Sequence, residues 1–204
     1  MGKDGPNRDG KMSTDRLNAE ERLLLLRIAR EAINCAVNKK ELPKLELSTL
    51  PLRLQEQEAS FVTLTLDGNL RGCIGALQAS QPLALDVQEH AVAAATEDYR
   101  FRPVSPQEIA ALVIEISRLS PSQELEYSTP NDLLSKLRPG VDGVVLRRGF
   151  QRATFLPQVW ENIADPSDFL TQLCHKMGAN GDLWEKEPLQ VQTYQVEEFK
   201  EDER

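Results

Sequence analysis

Within Leu70-Arg71-Gly72-Cys73-Ile74-Gly75 a single thiol sits between two glycines and two positions after an arginine. In a regular strand, residues two apart share a face, so Arg71 and Cys73 are expected to point the same way while Leu70 and Ile74 enter the other side. A nearby guanidinium favours thiolate over thiol, which would make Cys73 a nucleophile. Glycines inside a strand mark a bulge or the close approach of a ligand or another backbone, so Gly72 and Gly75 are candidate substrate-contact positions. The same residues also fit a plain reading, a small buried cysteine beside glycines needed for sheet twist.

Three further places carry groups able to do chemistry. In Asp98-Tyr99-Arg100-Phe101-Arg102-Pro103 the planar fork of Arg100 could hold a phosphate or carboxylate, and Asp98 could accept a proton or fix that arginine. An ion pair that merely positions a loop fits equally well. Asp142, between Val141 and Gly143, is a candidate acid/base group if it faces a cleft and a turn former if it does not. His90 follows Asp86 by four residues, so Asp86 could orient His90 as a base for Cys73. Its neighbours Val87, Ala91 and Ala94 favour a half-buried packing histidine instead.

Cys35 and Cys174 fall on apolar helical stripes and read as core. His175 adjoins Cys174, but neighbouring helical residues point about 100° apart, poor geometry for shared metal ligation. No metal site is expected, and no Walker loop or dinucleotide fingerprint calls for a cofactor.

The elements that must position these groups are legible from hydrophobic period. Asn18 with Glu21 forms a capping box before a long helix whose stripe runs through Leu24, Leu25, Ile28, Ala32, Cys35 and Ala36. Pro43 and Pro51 mark an irregular connection over 41–57. Val62, Leu64 and Leu66 alternate with threonines, Asp67-Gly68 supplies a hairpin turn, and the strand bearing Cys73 returns. A helix opened by Ser80 and Pro82, a strand over 112–119, a short helix after Thr129-Pro130, a hairpin turning near Arg148-Gly149, a helix after Asp165-Pro166 and a closing strand over 189–196 follow. Strands and helices in no strict alternation predict an α+β fold with a mainly antiparallel sheet flanked by helices.

The 204 residues carry 24 basic and 32 acidic side chains, a formal net charge of -8 and 40% hydrophobic residues, enough for a sizeable core. The acidic balance argues against a mainly electrostatic nucleic-acid binder, although Arg147, Arg148 and Arg152 cluster at one predicted hairpin. Three widely separated cysteines fit neither a zinc ribbon nor a secreted disulfide framework and point to the cytoplasm. The longest apolar run, Leu23 to Leu26, is far too short for a membrane span. Residues 1–16 read as a disordered arm, 17–199 as one domain, and the charged end after Val196 as a fraying tail, with 200–204 outside the domain.

Four separated motifs carry a resemblance: Arg71 to Gly75, Asp98 to Pro103, Gly140-Val141-Asp142-Gly143, and Ala153-Thr154-Phe155-Leu156-Pro157-Gln158-Val159-Trp160. Together they resemble the AMME chromosomal-region candidate domain family, whose bacterial members are called AmmeMemoRadiSam system protein A. The likeness covers roughly 17–199. It implies an antiparallel sheet flanked by helices in a larger lobe, plus a smaller accessory lobe. It also implies a Memo-type protein and a radical SAM enzyme as companions, but no defined reaction. The reading that follows is a cysteine-dependent enzyme: Cys73, polarised by Arg71, attacks a small electrophile, with Asp98, Arg100 or Asp142 orienting it. The alternative is a non-catalytic scaffold for the companions, and nucleic-acid binding is the weaker third.

Overall fold

The computed structural model describes residues 16–202. All of the expected amino-terminal arm except Arg16 lies outside those residues. The fold is α+β and divides into two compact units, one built from the chain up to Arg118 together with Glu197 onward, the other from Leu119–Val196.

In the first unit, helix α1 (Ala19–Val37) starts at Asn18, whose side chain accepts from the Glu21 amide while the Glu21 carboxylate accepts from the Asn18 amide. That reciprocal cap satisfies two orphan donors of the first turn. Short helix α2 (Leu52–Gln55) interrupts the connection that follows. Strands β1 (Ala59–Leu66) and β2 (Asn69–Gly75) form an antiparallel hairpin through Asp67 and Gly68, both at positive φ. Helix α3 (Leu83–Thr96) and strand β3 (Leu112–Leu119) come next.

The sheet is completed from the far end of the chain by β8 (Val196–Lys200), in the order β2-β1-β3-β8. Up to Glu201 the charged end is therefore held in the sheet instead of fraying. Its alternation places Phe199 against the core, and Glu197 and Glu201 take up the buried and half-buried arginines Arg118 and Arg30. The core is a single cluster in which Leu25, Ile33, Val62, Leu64, Val87, Ala91, Ile114 and Ile116 are fully buried.

In the second unit, β4 (Gln123–Glu124), β5 (Gly143–Arg148), β6 (Gln151–Phe155) and β7 (Gln190–Tyr194) pair antiparallel in the order β4-β7-β5-β6. Helices α4 (Pro130–Lys136), α5 (Pro166–Lys176) and α6 (Leu183–Lys186) belong to the same unit. The expected closing strand is thus two, β7 in one sheet and β8 in the other. Trp160 stacks on Phe169 at 3.6 Å between ring centroids and forms, with Val144, Leu146, Leu170 and Leu173, the core of this unit. Cys174 is buried there as expected, whereas Cys35 on α1 is only half-buried.

Candidate functional site

Every candidate for the thiol chemistry except Asp142 belongs to the first unit, and the strand register decides what each can do. Thr65 pairs with Leu70 and Leu64 with Gly72, so Arg71 is the extra residue of a β-bulge. A bulge re-aims the side chain it carries, and the alignment of Arg71 with Cys73 expected of a regular pleat gives way. The Arg71 guanidinium instead donates from Nε to Glu108 Oε1 at 2.8 Å and from Nη1 to the Arg102 carbonyl at 2.9 Å. It ties the strand to the loop after α3. The bond to Arg71, with the Ser105 amide adding to it, holds the Glu108 carboxyl down at about 2.

Beyond the bulge the pleat is regular. Val62, Leu64, Gly72 and Ile74 face α3, where a Cβ on Gly72 would overlap the Ala94 carbonyl oxygen. Thr63 and Cys73, directly paired, project from the opposite face. They form a non-hydrogen-bonded pair, the closer of the two antiparallel pair types, and the Thr63 hydroxyl donates to Cys73 Sγ at 3.2 Å. The thiol is half-buried.

Such a pair turns the Cys73 backbone groups toward the unpaired side of β2, which is an edge strand. The ion pair beyond α3 meets them there. The Cys73 amide donates to Asp98 Oδ2 at 2.8 Å, and Arg100 Nη2 donates to the Cys73 carbonyl at 3.2 Å. Arg100 Nε and Nη2 in turn reach the two Asp98 oxygens at 2.9 and 2.7 Å. Asp98 is buried while Arg100 is 42% exposed at its side chain. The Arg100 hydrogen bonds, with the Cys73 amide, hold the Asp98 carboxyl far below the usual carboxylate range. The cation brought to Cys73 is therefore Arg100, not Arg71, and its charge is reinforced first by Asp98 and to a smaller degree by the sulfur.

The Asp86–His90 pair exists but lies across the sheet. Asp86 Oδ2 accepts from the Ser60 amide at 2.8 Å and the Ser60 hydroxyl at 2.6 Å, tying α3 to the face of β1 that Cys73 does not share. His90 Nδ1 lies 3.1 Å from the same oxygen without hydrogen-bond geometry. The sheet separates His90 from the sulfur, so it is a packing histidine and no base for Cys73.

Two groups on the thiol's face were not singled out from sequence. Thr63 is one. The other is Glu115, on β3 between the buried Ile114 and Ile116, whose carboxyl is pushed up by burial and by the nearby Glu198 charge. The signal for both was the alternation of their strands, which assigns a polar side chain to the face opposite the core. Among the described residues no His, Cys, Asp or Glu cluster could hold a metal ion.

A family model for AMMECR1 matches residues 26–199 of the chain. The chain belongs to the AMMECR1 family. A Methanothermobacter thermautotrophicus member is 37% identical over 187 residues, spanning 91% of this chain and 97% of its own. The Methanocaldococcus jannaschii protein MJ0810 is 34% identical, spanning 91% and 92%. The crystal structure of the uncharacterized protein PH0010 from Pyrococcus horikoshii matches with a TM-score of 0.74 at 32% identity, covering 92% of this chain and 94% of that one. This AMMECR1 domain therefore shares both sequence and fold with archaeal proteins.

Asp142 lies in the second unit of the AMMECR1 fold. Its Oδ2 accepts from the Arg138 amide at 2.9 Å and its Oδ1 from Arg138 Nη2 at 2.6 Å, closing the turn through Gly140, which has φ +76°. The Trp160 indole N–H donates to its carbonyl at 2.7 Å. This is the turn-forming arrangement that the sequence also allowed.

Proposed function

We propose that the AMMECR1 domain is a cysteine-dependent enzyme in which Cys73 transiently carries an acyl-type electrophile from a small molecule. One observation carries the reading. Cys73 presents a half-buried thiol that receives the Thr63 hydroxyl hydrogen, while its own amide and carbonyl are both held by the Asp98–Arg100 pair. In the step proposed, the sulfur lone pair forms an S–C bond to the carbonyl carbon, and the bond to the leaving group breaks with its electron pair. That group departs with the thiol proton. Arg100 holds an anionic portion of the substrate, whereas the space over Gly72 and Gly75 is already taken by the Ala94 carbonyl and the Phe61 ring. A cytoplasmic setting and Memo-type and radical SAM companions, which the motifs imply, belong to the same proposal.

Mild alkylation at neutral pH, read by mass spectrometry, tests it. Cys73 should modify faster than Cys35 and far faster than buried Cys174. Equal or slower modification of Cys73 overturns the nucleophile.

The scaffold reading also has an observation in its favour. Arg71, Gly72, Asp98 and Arg100 each have a positioning role that accounts for them without chemistry. A folded Cys73→Ala variant that keeps both companion binding and pathway output would establish that reading instead.

A further inference from the structure

The β5–β6 hairpin belongs to the second unit. Arg147 is paired directly with Arg152, and Arg147 with Gln190 on β7, so the three side chains form one row across three strands. Directly opposed residues on one face have Cβ atoms about 5 Å apart, and like charges at that distance destabilise the pair. Both arginines are exposed, and neither has a carboxylate partner among the described residues. Arg148, on the other face, is already paired with Glu187 at 3.0 Å. At the tip, between Gly149 and Gln151, Phe150 is 108% exposed, more than any other large apolar side chain described.

We propose that this face of the hairpin binds single-stranded nucleic acid, with Arg147 and Arg152 on successive phosphates and Phe150 stacked on a base. An unneutralised arginine pair in a chain of net charge -8 is a local demand for an anion. Guanidinium forks fit phosphate oxygens bidentately. An aromatic ring free on both faces is the platform that sequence-tolerant binders offer to bases, and Gln190 continues the row with a side chain able to donate and accept. An anionic membrane fits less well. The tip carries one apolar side chain, which contributes at most about 3 kcal/mol on burial, and the arginines line the sheet face instead of ringing the tip.

The experiment is fluorescence anisotropy of a labelled uridine oligomer of about 12 nucleotides against the whole protein, with variants checked for unchanged thermal melts. The expected dissociation constant at about 50 mM salt lies between about 10⁻⁶ and 10⁻⁴ M, the non-specific range. Two phosphate contacts on a single strand give a log–log salt slope near -1.4, so raising salt about fourfold weakens binding about sevenfold. Arg147→Gln or Arg152→Gln should each lower affinity and flatten that slope, and Phe150→Ala should cost at least about fivefold. Lys44→Gln, the same charge change on exposed surface of the other unit, should do neither. No binding at about 1 mM protein, binding untouched by the three hairpin variants, or equal binding of polyglutamate or anionic lipid vesicles overturns the proposal.

Discussion

The Asp98 carboxylate accepts the Cys73 amide hydrogen at 2.8 Å, where the carbonyl of a neighbouring strand would sit if β2 were not at the edge of its sheet. An edge strand exposes unpaired backbone groups. Here a loop ion pair caps them at the one residue that carries a thiol. The cap makes the position of the sulfur depend on two charged residues more than twenty positions away in sequence.

That dependence gives a pH response. Asp98 and Glu108 both have carboxyls held below their ordinary values, Glu108 from 4.5 to about 2. A depressed carboxyl contributes stability that is fully present above the unfolded-state value and is lost as pH falls through the folded one. Chemical denaturation should therefore show stability falling on acidification from about pH 4.5 toward about pH 2. Asp98→Asn should lose about 2 kcal/mol at neutral pH, the size of a charged hydrogen bond, and give a flatter acid limb. An unchanged limb would remove the cap from the energetics.

Reactivity at sulfur should follow Arg100 and not Arg71. Arg100→Gln is expected to slow alkylation of Cys73 severalfold at neutral pH by removing the cation at its carbonyl. Arg71→Gln should chiefly loosen the loop through Glu108, changing stability more than alkylation rate. The reverse ranking would return the role to Arg71. Thr63→Val, which keeps the shape and removes the donor to Sγ, should also slow the reaction.

Glycine substitution separates packing from turn geometry. Gly72→Ala places a methyl group into the Ala94 carbonyl of α3, a backbone atom that cannot swing aside, and should cost about 3 kcal/mol, the upper end for overpacking. Gly68→Ala meets nothing within 4 Å and bears only the strain of φ +76°, about 1 kcal/mol. Urea midpoints for the two variants, measured side by side, check the ratio.

Glu58 and Arg118 form a buried pair, 1% and 2% exposed at their side chains, with Arg118 also 3.1 Å from Glu197. Glu58→Ala leaves a buried cation short of a partner and should cost about 3–5 kcal/mol, whereas replacing both with apolar residues of similar volume should restore much of the loss. A double variant no more stable than the single would refute that account.

Much of the architecture was legible because local signals agreed with the tertiary outcome. The Asn18–Glu21 cap, the Asp67-Gly68 turn and the stripe of α5 each appear where the sequence placed them. The exceptions have a shared cause. The bulge at Arg71 and the capture of Glu197 and Glu201 by Arg118 and Arg30 are set by partners distant in sequence. Period alone cannot show them. At the candidate site, Cys73, Asp98 and Arg100 were singled out through their residue types, but whether Arg71 or Arg100 reaches the strand depended on one inserted residue. Thr63 and Glu115 looked like ordinary polar positions of half-covered strands.

Because β8 belongs to the first unit and follows the whole of the second in the chain, the ribosome must pass the entire second unit before that sheet can close. Until Glu197 and Glu201 emerge, Arg118 and Arg30 lack carboxylates that they hold in the finished fold. A premature stop just after Val196 would leave the thiol-bearing half with an open flank and with Arg118 and Arg30 each one carboxylate short. Quality control would then meet a nascent product whose defect lies after the second unit and whose misfolding is felt in the first.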